Sequence, residues 1–202
     1  NGYTNFSSFF DKNEINEIAN EVNKIIIDET DAFSKRTQTN NQPIHKKTTT
    51  MGRSYHHSHY ARSNTFSSSI VGKNQKVDNF LKKLFSDQKF NFLCEKLLGK
   101  NYRIYTLAIR QLDNASKPLG LHQDNWAQLT FSIPLNDISE KDGTTTVISG
   151  SHLFSYAILD ELFNIPLSLY NFLTFHLKGK IGDLSLFLNK TFHGNYVQKR
   201  IK

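Results

Sequence analysis

Cysteine is nearly absent from this chain of 202 residues: Cys94 is the only one. One thiol forms no internal disulfide and no cysteine-rich zinc site, and it suits a reducing compartment, so a cytoplasmic setting is expected. Long apolar runs are missing as well. None approaches the roughly 20 residues that a membrane-spanning helix requires, so no membrane span is expected. Asn1-Gly2-Tyr3 is neither a signal peptide nor a native start, and both ends are expected to be trimmed. Hydrophobic residues reach only 38%, below the globular norm, but 16 Phe and 8 Tyr compensate because each ring buries a large apolar area. The length fits a single domain over residues 1–202 with a sizeable core.

Acidic residues are outnumbered, 18 against 25 Lys and Arg, which gives a formal net charge of +7. The lysines are dispersed, as at Lys46 and Lys47, Lys82 and Lys83, and Lys199 with Lys202. No recognition-helix or RNA-motif pattern accompanies them. A generally basic surface that favours anionic small molecules is expected, and no nucleic-acid partner. Oligomeric state is left open.

Along the chain, Asp11 with Glu14 forms a capping box, and Ile15, Ile18, Ala19, Val22 and Ile26 recur at helical spacing. The pattern predicts an amphipathic helix over about 12–28. From Ser34 to Ser69 the chain is rich in Thr, Ser, Asn, Gln and His without periodicity, which predicts a long functional loop such as a lid. Val77, Phe80, Leu81, Leu84 and Phe85 mark a second helix. Phe90 to Leu98 mark a third, closed by Gly99. Thereafter strands are expected at Tyr102–Ile109, Leu129–Leu135, Thr144–Ile148, Phe172–Leu177, Leu184–Leu188 and Tyr196–Ile201, with a short helix within Tyr156–Leu169. A helical part over about 1–100 followed by a β part over about 101–202 is an α+β order, and many short strands suggest a barrel or sandwich.

Two motifs carry chemistry. His122-Gln123-Asp124 places an imidazole and a carboxylate two apart, hence on one face if the segment is a strand. His193 returns 69 residues beyond Asp124 on another apolar run. Two imidazoles and one carboxylate with open positions form the facial triad of non-haem Fe(II) sites. His-x-Asp alone arises often by chance, so its weight comes from company. The remaining histidines are weaker candidates. His152 belongs to a Gly150-Ser151-His152 turn and is expected to make a structural hydrogen bond, His176 is expected to be structural or on the surface, and His45 has no partner nearby. Tyr55-His56-His57-Ser58-His59-Tyr60 lacks a cysteine or carboxylate to complete a metal site and is expected to line a substrate mouth. Trp126, two beyond Asp124, packs in the core or walls the site.

The company is found in order along the chain. Leu121-His122-Gln123-Asp124, the segment from Asp142-Gly143 to Gly150-Ser151-His152, Gly182-Asp183-Leu184-Ser185-Leu186-Phe187, and Phe192-His193-Gly194 together resemble the phytanoyl-CoA dioxygenase-like branch of the Fe(II)/2-oxoglutarate oxygenases. Asp142 and Ser149 depart from the family pattern. The resemblance implies a double-stranded β-helix, a jelly-roll of cupin-like form, buttressed by N-terminal helices. It implies Fe(II) held by His122, Asp124 and His193, with 2-oxoglutarate and O2 as co-substrates. Family members hold the far carboxylate of 2-oxoglutarate with an arginine about ten residues after the second histidine, because a guanidinium grips a carboxylate bidentately. Arg200, seven residues after His193, is the candidate here. Asn195, Gln111 and Leu107 align with positions that flank the co-substrate in relatives, while Trp126, His57 and Arg110 are candidates on the substrate side. The implied activity is hydroxylation of a C–H bond in a small organic substrate. The rival reading is a cupin-like binding or isomerase protein with a vestigial or different metal site.

Overall fold

The computed structural model describes residues 1–39, 65–112, 119–124, 128–154 and 173–195, apart from the side chains of 29–39, 65–68, 112, 119–120, 141 and 195. These residues fall into two compact units. One draws on Asn1–Ile15, Leu97–Gly99 and Pro118–Lys202, the other on Asn16–Lys96 and Lys100–Lys117. The expected helix within Tyr156–Leu169 and the strand Tyr196–Ile201 lie outside the described residues, as does most of the Ser34–Ser69 segment.

The first unit holds two antiparallel sheets. β1 (Tyr3–Phe6), β8 (Leu184–Leu188) and β5 (Leu129–Ser132) form one, in the order β1-β8-β5. β4 (Leu119–His122), β9 (His193–Asn195), β6 (Thr145–Ile148) and β7 (Thr174–His176) form the other, in the order β4-β9-β6-β7. β8 is central in its sheet and its Leu184, Leu186 and Phe187 are all buried, as a strand covered on both faces requires. Val147 of β6, Phe187 of β8 and Leu177 share a buried cluster with Tyr3 of β1 packed against it, so both sheets contribute to one core. Asn189–Phe192 is the four-residue crossover that carries the chain from β8 in one sheet to β9 in the other.

The turn into β8 depends on a glycine. Gly182 has φ +96°, and a Cβ there would stand 2.9 Å from the Phe10 carbonyl oxygen. Phe10 N–H donates to the Gly182 carbonyl at 2.9 Å, and the buried Asp183 carboxylate accepts the Ser8 N–H at 2.9 Å and the Lys180 N–H at 2.8 Å. A side chain at 182 would push apart the two segments that these bonds join.

In the second unit α1 (Lys12–Thr39), which begins in the first unit, is capped as the sequence predicts, since Asp11 accepts from the Asn13 and Glu14 N–H groups at 2.8 and 3.1 Å. It runs well beyond the expected end near 28. No glycine or proline interrupts the chain between Ile15 and Gln42, so nothing stops the helix where its apolar stripe ends. The stripe itself is Ile15, Ile18, Val22 and Ile25, with Ile25 rather than Ile26 buried. α2 (Gln75–Ser86) starts at Asn74, whose side chain accepts from the Lys76 and Val77 N–H groups while its Nδ2 donates to Glu21 at 2.9 Å. α3 (Gln88–Leu98) ends before Gly99 at φ +92°, as expected. Phe85 and Phe90 meet edge to face at 5.7 Å.

β2 (Thr65–Ser69) and β3 (Ala108–Leu112) pair as a two-stranded antiparallel ladder. Both correct the sequence reading. Thr65–Ser69 was expected within an irregular loop, and the strand expected at Tyr102–Ile109 begins only at Ala108. β2 offers partners to Ala108–Leu112 alone, so the β-branched and aromatic residues before them gain no ladder, and Tyr105 is 80% exposed. Among the described residues no helix is long and apolar enough to cross a membrane.

Candidate metal centre

His122 ends β4 and His193 opens β9, and the two are direct cross-strand partners with ring centroids 4.4 Å apart. Asp124 departs from the expected geometry. It lies beyond the last residue of β4, so strand alternation does not bring it to the imidazoles. The crossover does. Asp124 N–H donates to the Asn189 carbonyl at 3.0 Å, and Gln123 Nε2 donates to the Lys190 carbonyl. The carboxylate then meets both rings, with Oδ1 3.9 Å from His122 Nε2 and Oδ2 3.4 Å from His193 Nε2.

Among the described residues these three form the one cluster able to hold a metal ion, with donor atoms all within 4.8 Å of one another. The donor set fits. His193 Nδ1 lies 2.8 Å from the Thr191 carbonyl oxygen, which can only accept, so Nδ1 carries the proton and Nε2 keeps its lone pair toward Asp124. Two donors about 2.1 Å from a shared ion at right angles stand about 3 Å apart, so movements of less than about 1 Å would close the set. Phe187 backs the His193 ring at 4.7 Å. Burial is uneven: the His122 and His193 side chains are 14% and 9% exposed and Asp124 is 40% exposed, so the cluster opens on the carboxylate side.

The Gly150-Ser151-His152 turn supports the centre, but not through the histidine. Ser151 Oγ donates to the Ile148 carbonyl at 2.7 Å and accepts the Phe192 N–H at 2.8 Å, one residue before His193. The structural hydrogen bond expected of His152 is not made at Nδ1, which is buried without a partner. Burial, and then nearby positive charge, holds this imidazole below its usual range. His176 is structural as expected, its Nδ1 3.0 Å from Thr146 Oγ1.

Asn195 ends β9, its backbone paired with Leu119 and Thr145. Leu107, Arg110 and Gln111 belong to the second unit, the latter two on β3. Trp126, His57 and Arg200, with His45, His56 and His59, lie outside the described residues. Sequence reasoning missed Thr191 and Asn189, which only the phasing of the crossover against His193 could have exposed, and it gave Ser151 and Phe187 no role beyond their motifs.

Two antiparallel sheets that share a core and bring two histidines and an aspartate together define an α+β protein with a site able to hold iron. The family model for phytanoyl-CoA dioxygenase (PhyH) matches residues 1–196, and the chain belongs to that family. Several solved structures share the fold. HygX from Streptomyces hygroscopicus with nickel, 2-oxoglutarate and hygromycin B bound is 15% identical with a TM-score of 0.61, over 97% of this chain and 77% of its own. EctD from S. alaskensis with 2-oxoglutarate and 5-hydroxyectoine is 16% identical with a TM-score of 0.57, over 96% of this chain and 65% of its own. The non-heme alpha ketoglutarate dependent epimerase SnoN from nogalamycin biosynthesis is 18% identical with a TM-score of 0.55, over 98% of this chain and 72% of its own. No curated protein sequence matches the chain.

Proposed function

We propose that this chain is an Fe(II)- and 2-oxoglutarate-dependent dioxygenase that hydroxylates a C–H bond of a small organic substrate within one double-stranded β-helix domain. The observation that carries the reading is the convergence of His122 Nε2, His193 Nε2 and the Asp124 carboxylate, with the His193 tautomer fixed by Thr191. Two neutral imidazoles and one carboxylate leave a divalent ion with net positive charge and vacant positions, which favours an anionic chelating co-substrate. Iron bound there would supply the O2 chemistry. The share of the chain would be to supply the three ligands, admit substrate and co-substrate at the exposed carboxylate side, and shelter the buried His193 from water. In this reading Arg200 is the residue for the far carboxylate of 2-oxoglutarate, and Asn195, Gln111 and Leu107 are further co-substrate candidates. Trp126, His57 and Arg110 are its candidates on the substrate side. The setting is cytoplasmic, and nucleic acid is not a partner.

The test is Fe(II)-dependent conversion of 2-oxoglutarate to succinate by the purified chain. His122→Ala, Asp124→Ala and His193→Ala should each abolish it while the far-ultraviolet circular dichroism stays native, because two protein ligands are too few. Near-normal turnover in any of them removes that residue from the triad. The epimerase among the structures of similar fold favours a second reading, stereochemical inversion without hydroxylation. Product mass separates the two, since only hydroxylation adds an oxygen atom.

A further inference from the structure

The first residue of the crossover has more bonds than a connecting turn needs. Asn189 is 6% exposed. Its Nδ2 donates to Gln128 Oε1 at 3.1 Å, and its Oδ1 accepts from Thr130 Oγ1 at 2.6 Å. Its backbone N–H donates to the Gln128 carbonyl at 2.9 Å, and its own carbonyl accepts the Asp124 N–H at 3.0 Å. Three of these bonds fasten Asn189 to β5 and the residue before it. The fourth passes that anchorage to Asp124.

Asp124 needs it. His122 and His193 are fixed by strand pairing, but Asp124 stands beyond the end of β4 and its side chain is the most exposed of the three. We propose that Asn189 is a positioning residue that sets where the Asp124 carboxylate stands, by clamping the crossover to Thr130 and Gln128. The inference rests on the metal reading of the site and deepens it. The residue type follows from the chemistry. A carboxamide donates and accepts at once, whereas a carboxylate cannot donate to Gln128 and an aliphatic side chain would leave the Thr130 hydroxyl and Gln128 amide unsatisfied. Thr130 pairs with Phe187 across β5 and β8, and Phe187 packs on the His193 ring, so the clamp is built into the same sheet face that supports the second histidine.

The test measures Ni(II) affinity of the metal-free chain by calorimetric titration, so no turnover is required, together with hydrogen exchange at the Asp124 amide. Asn189→Ala and Thr130→Val should each weaken Ni(II) binding by about tenfold or more, the usual effect of removing a group that orients a ligand. Both should speed exchange at Asp124. Thr130→Ser, which keeps the donated hydrogen bond, should restore both readings. If Asn189→Ala does not fold, the Thr130 pair decides. Folded variants that bind Ni(II) like the unsubstituted chain would overturn the proposal, and so would a Thr130→Ser variant as weak as Thr130→Val. Failure of the unsubstituted chain to bind Ni(II) would overturn the metal reading and this inference together, an outcome distinct from equal binding by all variants.

Discussion

Phe187 has two neighbourhoods, and replacing it separates them. Its ring is 5% exposed, joins Val147 and Leu177 in the core, and stands 4.7 Å from the His193 ring. Phe187→Ala should cost about 3–5 kcal/mol from lost burial and the cavity left behind. That is a large part of the roughly 5–15 kcal/mol that a folded domain possesses. At about 2–4 °C per kcal/mol for a chain of this size, Tm should fall by an amount on the order of 6 to 20 °C. Leu186 is the control. It is 2% exposed on the opposite face of β8, and Leu186→Ala should cost about 2–5 kcal/mol by the same mechanism. Only Phe187→Ala also removes the surface against which the His193 imidazole rests. Ni(II) titration well below the unfolding temperature should therefore show affinity weakened by about tenfold in Phe187→Ala and unchanged in Leu186→Ala. Equal affinities in two comparably destabilised variants would show that Phe187 only fills space.

Asn74→Ala should lower stability by about 0.5–2 kcal/mol, read as a shift in urea midpoint at constant slope, because α2 loses its cap. Asn74→Asp should keep the cap but turn the donor to Glu21 into a second carboxylate, so it too should be less stable than the unsubstituted chain. Arg200→Ala should raise the KM for 2-oxoglutarate by a factor on the order of 30 or more, from a lost charged contact of about 2 kcal/mol or more, and leave Ni(II) affinity unchanged. An unchanged KM would move the role to Arg110, another basic group or residues beyond Lys202. His152 sets a pH dependence. Its imidazole titrates below the usual 6.5 in the fold, so its contribution is present above that value and is lost as pH falls through the lowered one. Urea midpoints of the unsubstituted chain should drop more between about pH 7 and pH 5 than those of His152→Leu. Parallel pH curves would refute this.

What the sequence disclosed depended on whether a signal was local. β8 is found at Leu184–Leu188 as expected, because an apolar run broken only by Ser185 follows a glycine turn. α2 and α3 are also where their apolar spacing put them, within a few residues. β1 and β2 were invisible because Tyr3–Phe6 and Thr65–Ser69 have mixed composition and become strands only through partners, β8 and β3, far along the chain. The reverse error occurred at Tyr102–Leu107, where strand-forming residues lack a ladder. The His122–His193 pairing was anticipated because the motifs that frame it are short and ordered. That Asp124 joins them was anticipated as well; its anchorage was not, since the pattern His-x-Asp suggests alternation along a strand and the structure ties Asp124 to the Asn189 carbonyl. Arg200, Trp126 and His57 remain where the sequence alone places them.

The crossover from β8 to β9 would make metal uptake a gauge of how well two sheets stay joined. His122 and His193 belong to one sheet, while Asp124 is tied to the turn that leaves the other, so an ion held by all three spans a seam in the fold. An ion that binds only the closed seam stabilises the protein by mass action, about 1.4 kcal/mol for each tenfold rise in free metal above Kd. Chelation would then do more than stop chemistry. It would lower the cost of parting the sheets, and the supply of metal to the protein would help set how long the folded chain persists.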